Sequence, residues 1–349
     1  MTDTSRMRSE IGEQATALNA TLDALLPRVA EVGVLGRETR QVLFIARGSS
    51  DNAAVYGSYL VQTHAGRLAT LASPSIATTY KKKIDLSGVL AVAISQSGRT
   101  EEIVETLDWA AGCGARTVAV TNGEGSPLAE AAQLALVTRA GDEIAVPATK
   151  TYTTQLAALA VLGIGLGAEV DIADLRRAPE EVDRLIAATE AADALPEIVE
   201  ELASVPGAVV SGRGIAYGTA LEFAIKLKEA CYLHAMGLSY ADLLHGPIAV
   251  VDDDTPAILV AADSGPTLPG TVALAERVTA AGAKAYGIGG GRMLAEASTR
   301  ALPGPDLPEW VAPLALIVPG QLITERLARR LGIDPDMPRG LGKVTQTDQ

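Results

Sequence analysis

Short apolar runs alternate with longer amphipathic stretches through most of this chain. The runs at residues 42–46, Leu68–Leu71, Val89–Ile94, Arg116–Thr121 and 134–138 read as strands. Helices fall between them, and residues 148–166 form a further one. This alternation predicts a parallel sheet joined by right-handed crossovers. Ahead of the first strand, Ile11, Ala15, Leu18, Leu22, Leu25, Leu26 and Val29 repeat at helical spacing. Residues 7–32 are therefore expected to form one amphipathic helix.

The second half of the chain repeats the first. Arg213 in Val209-Val-Ser-Gly-Arg-Gly214 follows Arg47 in Leu43-Phe-Ile-Ala-Arg-Gly48 by 166 residues. Ser264 follows Ser97 by 167 residues, and Gly282 follows Gly114 by 168. Three near-constant offsets imply two copies of one unit. The expected fold is α/β: two tandem units, each a parallel sheet flanked by helices in three αβα layers. Segments 1–38 (N-terminal helix), 39–170 (first unit), 171–202 (helical linker), 203–330 (second unit) and 331–349 (C-terminal tail) follow. The connection between the units lies around residues 167–177, and an added helical pair covers residues 179–202.

Composition narrows the class. Of the 349 residues 48% are hydrophobic but only 3% aromatic, so the core must be built from Ala, Val, Leu and Ile. Such a core suits parallel strands under Ala-rich helices. The formal net charge of −13 and the lack of a basic stripe disfavour nucleic acid as a partner. Lys81, Lys82 and Lys83 read as a solvated loop. Cys113 and Cys231 give neither a disulfide framework nor metal-ligand spacing and read as buried thiols. The first residues lack a signal peptide's apolar run, and residues 156–168 are too short to span a bilayer. A cytoplasmic protein without a membrane partner is expected.

The densest chemistry lies where the run 90–94 ends in Ser95-Gln96-Ser97-Gly98-Arg99-Thr100 and a helix follows. A strand–glycine–helix turn aims free N–H groups and a helix dipole at one point, which suits a phosphate. Ser95, Gln96, Ser97 and Thr100 crowd this turn, and Ser49 and Ser50 crowd another. One hydroxyl there is an ordinary helix cap; five at two neighbouring strand ends favour a phosphate pocket. In the second copy Ala262 and Asp263 replace Ser95 and Gln96, and an aspartate repels a phosphate dianion. Phosphate binding is thus expected in the first copy only.

Residues 221–233 are strongly apolar yet carry Glu222, Lys226 and Glu229, spaced to share one helical face. An exposed ion-paired stripe is the ordinary reading of such spacing. Leu221, Ile225 and Leu233 on the same side point instead to burial, where such a pair can move protons. Lys228 points elsewhere. Among the histidines, His64 reads as a surface residue and His234 as a helix C-terminal cap. His245, fixed before Gly246-Pro247, is the candidate for chemistry. Arg213-Gly-Ile-Ala-Tyr-Gly218 lacks the acidic partner of a dinucleotide fingerprint. With no metal cluster either, no cofactor and no metal are expected.

With these residues placed, the chain resembles the sugar isomerase (SIS) family, most closely the isomerase part of the glutamine–fructose-6-phosphate aminotransferases. The resemblance runs from Met7 to Thr345. It is carried by Arg47-Gly-Ser-Ser50, Ser95-Gln-Ser-Gly-Arg-Thr100, Ala148-Thr-Lys-Thr-Tyr-Thr-Thr-Gln155, Lys226-Leu-Lys-Glu229 and His245-Gly-Pro247. It implies that Ser50, Ser95, Gln96, Ser97 and Thr100, beside Ser49, hold a sugar phosphate, with backbone near Val146 closing the site. Glu229 would shuttle a proton between C1 and C2 of the open-chain sugar, and Lys226 would polarise the neighbouring oxygen. His245 would open the ring, reaching into the partner's site across a homodimer interface. Lys343 on the tail would contact the ketose carbonyl or form an imine with it.

The sequence also departs from the family. Ala148 stands where a serine often contacts the sugar, Met236 where a glutamate is common, and Arg99 replaces a frequent glutamate. The family's synthases open with a catalytic cysteine and a glutaminase domain, which this sequence does not show. The expected reaction is therefore conversion of glucosamine-6-phosphate to fructose-6-phosphate and ammonia, so the partners are a phosphorylated amino sugar and a ketose phosphate. A galactosamine-6-phosphate deaminase, a deglycase of sugar-phosphate amino-acid conjugates, or a non-catalytic sugar-phosphate sensor are the alternatives.

Overall fold

A computed structural model describes residues 4–343 and residue 346. Residues 1–3 and, within the tail segment 331–349, residues 344, 345 and 347–349 lie outside the described residues. Two five-stranded sheets are present among them. The first contains β1 (Gln41–Ile45), β2 (Leu68–Leu71), β3 (Val89–Ile94), β4 (Arg116–Thr121) and β5 (Leu134–Val137) in the order β2-β1-β3-β4-β5. The second contains β6 (Gly207–Gly212), β7 (His234–Ser239), β8 (Ala257–Ala261), β9 (Ala285–Gly289) and β10 (Arg300–Leu302) in the order β10-β9-β8-β6-β7. Read from β7, the second order repeats the first strand for strand, and every pairing in both sheets is parallel. The fold is the expected tandem αβα arrangement.

The backbone carries the duplication more finely than the sequence does. Left-handed conformations recur at Gly48 and Gly214 (φ 58° and 60°), at Gly98 and Gly265 (64° and 115°), and at Gly114 and Gly282 (97° and 88°). The fourth pair, Gly66 and Tyr232 (62° and 56°), lies 166 residues apart with no sequence likeness. Each of these two residues follows the helix that precedes the edge strand, so the same reversal of direction demands the same φ.

The chain divides into two compact units. One holds the first sheet and comprises Thr16–Glu143, Lys150–Arg176 and the tail from Gly342. The other holds the second sheet and comprises residues up to Ala15, Ile144–Thr149 and Arg177–Leu341. In the first, β3 is buried along its whole length. Ala91 and Ala93 pack against Ile103, Leu107 and Ala110 of the helix Glu101–Gly112. In the second, Leu259 and Ala261 pack against Leu274, Ala275 and Val278 of the helix Leu268–Ala280. Small residues let the helices approach closely, which explains a core with so few aromatics. Among the described residues no helix is long and apolar enough to cross a membrane.

Four local expectations are corrected. Residues 7–32 form not one helix but Arg6–Gly12, Gln14–Leu25, a 3₁₀ turn Leu26–Arg28 and Val29–Gly36. Pro27 lacks an N–H and disfavours helical backbone at Leu26, so the α-helix gives way to one tighter turn there. The helical pair begins at Ile172 rather than at residue 179, with Pro179 inside the helix Ile172–Glu190. His234 does not cap a helix: the helix Tyr217–Cys231 ends before Tyr232, and His234 opens β7, exposed. Of the two thiols only Cys231 is buried, and burial pushes it up to about 12, which makes it inert at neutral pH. Cys113 is half-buried at the end of the helix Glu101–Gly112.

Candidate active site

In the first unit the chain leaves β1 toward β2 on one side and returns through β3 on the other. The C-terminal ends of β1 and β3 therefore form the crevice at which doubly wound sheets bind ligands. Ser49 and Ser50 open the helix Ser49–His64 beyond β1, and Thr100 is the N-cap of the helix Glu101–Gly112 beyond β3. The Glu101 N–H of the second helix is taken by Gln346, and neither helix start is capped by the side chain of its own N-cap residue. That is unusual for Thr100, whose hydroxyl is suited to capping. It lies instead 3.5 Å from the buried Ser95 hydroxyl, whose oxygen accepts the Gly98 N–H at 3.2 Å. Ser97 Oγ accepts the Arg99 N–H at 3.2 Å. Gly98 is required here: its φ is positive, and a Cβ would collide with Ser126.

Two contacts set the crevice. Arg47 donates to both carboxylate oxygens of Glu102 at 2.9 Å, which joins the two turns and offsets a negative charge beside the helix start. Gln155 donates its Nε2–H to the buried Ser50 Oγ at 3.0 Å, which leaves the Ser50 proton free to point elsewhere. Asp51, next in the chain, is pushed up by burial against the opposing charge of Arg47. The crevice thus combines two helix N-termini, neither capped by its own N-cap side chain, with hydroxyls held by their neighbours. Helix N-termini and hydroxyls in such an arrangement suit an anion.

The same place in the second unit is built differently. Thr267, the equivalent of Thr100, donates its hydroxyl at 2.8 Å to the carboxylate of Glu309. That carboxylate lies against Gly265, the equivalent of Gly98. Asp263, the equivalent of Gln96, is raised by burial and opposed by the N–H groups of Gly291 and Gly290, which bond to it. Where the first unit presents hydroxyls, the second presents two carboxylates of its own.

The second unit instead carries the charged helix. In Tyr217–Cys231, Glu222 is 0% and Lys226 1% exposed, while Glu229 keeps a quarter of its side chain in solvent (25%). Lys226 Nζ donates to Glu229 Oε2 at 2.5 Å and stands 3.5 Å from Glu222. Lys228 is exposed. Lys226 is thus buried between two carboxylates, of which the outer one, Glu229, meets solvent. His245 is exposed at the end of the helix Tyr240–Leu244, and its ring makes no hydrogen bond among the described residues. Val146 and Ala148 are half-buried, and the Val146 N–H is taken by the Asp336 carbonyl at 2.9 Å.

Sequence reasoning placed Lys343 in the site but missed two residues of the first unit, Glu143 and Gln346. Lys343 Nζ donates at 2.6 Å to the Glu143 carboxylate, which is 0% exposed and also accepts the N–H and hydroxyl of Thr151. Gln346 Oε1 accepts the Glu101 N–H at 3.1 Å, and its Nε2 donates to the Arg99 carbonyl at 3.3 Å. Both tail residues therefore dock on the unit with the hydroxyl crevice. No local pattern marks Glu143, because its partners lie 8 and 200 residues away.

Burial pushes the Glu143 carboxyl up, but the Lys343 charge and hydrogen bond and the two Thr151 bonds outweigh it and hold it below its ordinary 4.5. A carboxylate made more acidic by folding contributes stability above its unfolded value, lost as pH falls through the folded one. The thermal midpoint of the wild type should therefore fall more steeply below pH 4.5 than that of Glu143→Gln. Parallel curves would mean that the fold does not hold Glu143 ionised.

The SIS domain model matches residues 37–165 and 201–300. The chain belongs to the SIS-domain family. Glutamine–fructose-6-phosphate aminotransferase (isomerizing) of Methanothermobacter thermautotrophicus is 36% identical over 348 residues, covering 98% of this chain and 57% of that protein. This chain thus spans little more than half the length of the curated relatives it matches. A proposed phosphosugar isomerase from Silicibacter pomeroyi DSS-3 has 34% identity and a TM-score of 0.86, covering 95% of this chain and 100% of that one. The C-terminal domain of glucosamine-fructose-6-phosphate aminotransferase from Francisella tularensis has 27% identity and a TM-score of 0.84, covering 97% and 99%.

Proposed function

We propose that this protein is a phosphosugar isomerase that releases ammonia from glucosamine-6-phosphate to give fructose-6-phosphate. The observation that carries the reading is the Lys226–Glu229 pair: a buried ammonium 2.5 Å from a carboxylate that still meets solvent. Relatives named for isomerising sugar phosphates support the substrate class. The hydroxyl crevice supports a phosphate anchor, with Ser50, Ser95, Gln96, Ser97 and Thr100 as its donors and Ser49 beside them.

After His245 assists ring opening, Glu229 takes the C2 proton of the open-chain aldehyde and returns it to C1. Lys226 and Lys343 stabilise the charge that develops on the neighbouring oxygens. The product is an iminium at C2; water adds there and ammonia leaves. Direction follows from mass action, since an assay of this chain in water supplies the nucleophile in excess and no ammonia. By the family's geometry, His245 would act across a homodimer.

The test is release of ammonia and fructose-6-phosphate, in equal amounts, from glucosamine-6-phosphate by the purified chain. Galactosamine-6-phosphate and amino-acid conjugates of fructose-6-phosphate belong in the same panel, because Ala148 and the exposed Met236 leave the sugar contacts open. Turnover confined to one of those substrates would redirect the reading within the family. Binding of sugar phosphates without turnover of any would make the protein a sensor.

A further inference from the structure

The helix Arg6–Gly12 carries an acid on its apolar side. Met7, Glu10 and Ile11, spaced to share one helical face, are the buried residues of this helix. A carboxylate is costly among apolar side chains unless donors meet it. Here the donors come from a loop of the same unit: Glu10 Oε1 accepts the Ile144 N–H at 2.5 Å and the Ala145 N–H at 3.3 Å. The next N–H, that of Val146, goes to the Asp336 carbonyl at 2.9 Å. The Asp336 carboxylate in turn accepts the N–H groups of Arg6 and Met7 at 2.9 and 2.8 Å, so it holds the helix that presents Glu10. Ser5, the N-cap of that helix, donates its hydroxyl to the buried Glu325 at 2.7 Å. Three successive backbone donors, at residues 144–146, are therefore fixed from outside the loop, and two of them depend on one carboxylate oxygen.

We propose that Glu10 is a positioning residue, which fixes the backbone of residues 144–146 and through it the stretch 146–148 that the resemblance assigns to the sugar. The fixing of the loop stands on the hydrogen bonds alone; its consequence for the sugar rests on the proposed reaction. A loop that holds the sugar equally in the ground state and the transition state sets KM and not kcat.

Two measurements separate these halves. Glu10→Leu removes the acceptor, whereas Glu10→Gln keeps an oxygen in its place. In hydrogen exchange followed by mass spectrometry on the free protein, a peptide spanning residues 144–149 should exchange about tenfold or more faster in Glu10→Leu than in wild type. Glu10→Gln should exchange near the wild-type rate, and a peptide spanning Val89–Ile94 should be unchanged in both. Glu10→Asp, one methylene too short to reach the loop, should also speed exchange at 144–149 and carries the test if Glu10→Leu does not fold. Wild-type exchange there in Glu10→Leu and Glu10→Asp would overturn the positioning role, as would equal acceleration in both peptides, the mark of a general loss of stability. With glucosamine-6-phosphate, Glu10→Leu should raise KM about tenfold at a kcat within about twofold of wild type, and Glu10→Gln should restore it. An unchanged KM beside faster exchange, or a fall in kcat alone, would overturn the loop's part in holding the sugar. Lack of turnover by the wild type would count against the proposed reaction, and the exchange result then decides the positioning role alone.

Discussion

Glu229→Gln should lower the rate of ammonia release from glucosamine-6-phosphate by about 10²- to 10⁴-fold, the usual cost of removing a general base. The substitution preserves shape and hydrogen bonding, and Glu229 is the outer, solvent-meeting member of its charged helix face. The KM should change little, because the phosphate anchor is assigned to other residues. A fall in kcat and kcat/KM by the same factor is the signature of a group that acts in the transition state. Full turnover in the variant would remove Glu229 from the chemistry. A rise in KM at unchanged kcat would make it a binding residue instead.

The second large effect is on stability. Lys226→Met should destabilise the protein by about 3–5 kcal/mol, because it removes the buried ammonium 3.5 Å from the buried carboxylate of Glu222. Resistance to urea measures it. The double variant Glu222→Gln with Lys226→Met removes both charges and should recover much of that loss, as buried pairs replaced together often do. It should not recover turnover, since the ammonium beside Glu229 is still missing. Recovery of both would mean that Lys226 serves the fold alone. Failure to lose stability in the single variant would mean that the Lys226–Glu222 pair does not support the fold.

The hydroxyl-rich turn was legible because its residues are local: Ser95, Gln96, Ser97 and Thr100 lie within six consecutive positions, and sheet order brings Ser50 to the neighbouring strand end. The charged face was equally legible, since helical spacing alone aligns Glu222, Lys226 and Glu229. Glu143 was not legible. An acid in a loop carries no periodic signal, and its identity as a lysine's partner depends on a tail residue 200 positions away. Glu309 escaped for the same reason: its place against Gly265 comes from a return of the chain after β10. The His234 cap failed because the helix ends three residues before it, where Tyr232 takes the left-handed turn that Gly66 takes in the first copy.

Sequence alone determined the two parallel αβα units, their duplication, the hydroxyl-rich turn and the charged helix face. Each is written in short-range patterns that fix backbone geometry locally. Tertiary structure decided which charges are buried, which carboxylates fill the second copy's turn, and which acid receives Lys343. Those depend on contacts between distant segments, and the electrostatics of a buried group is set by everything packed around it rather than by its neighbours in the chain.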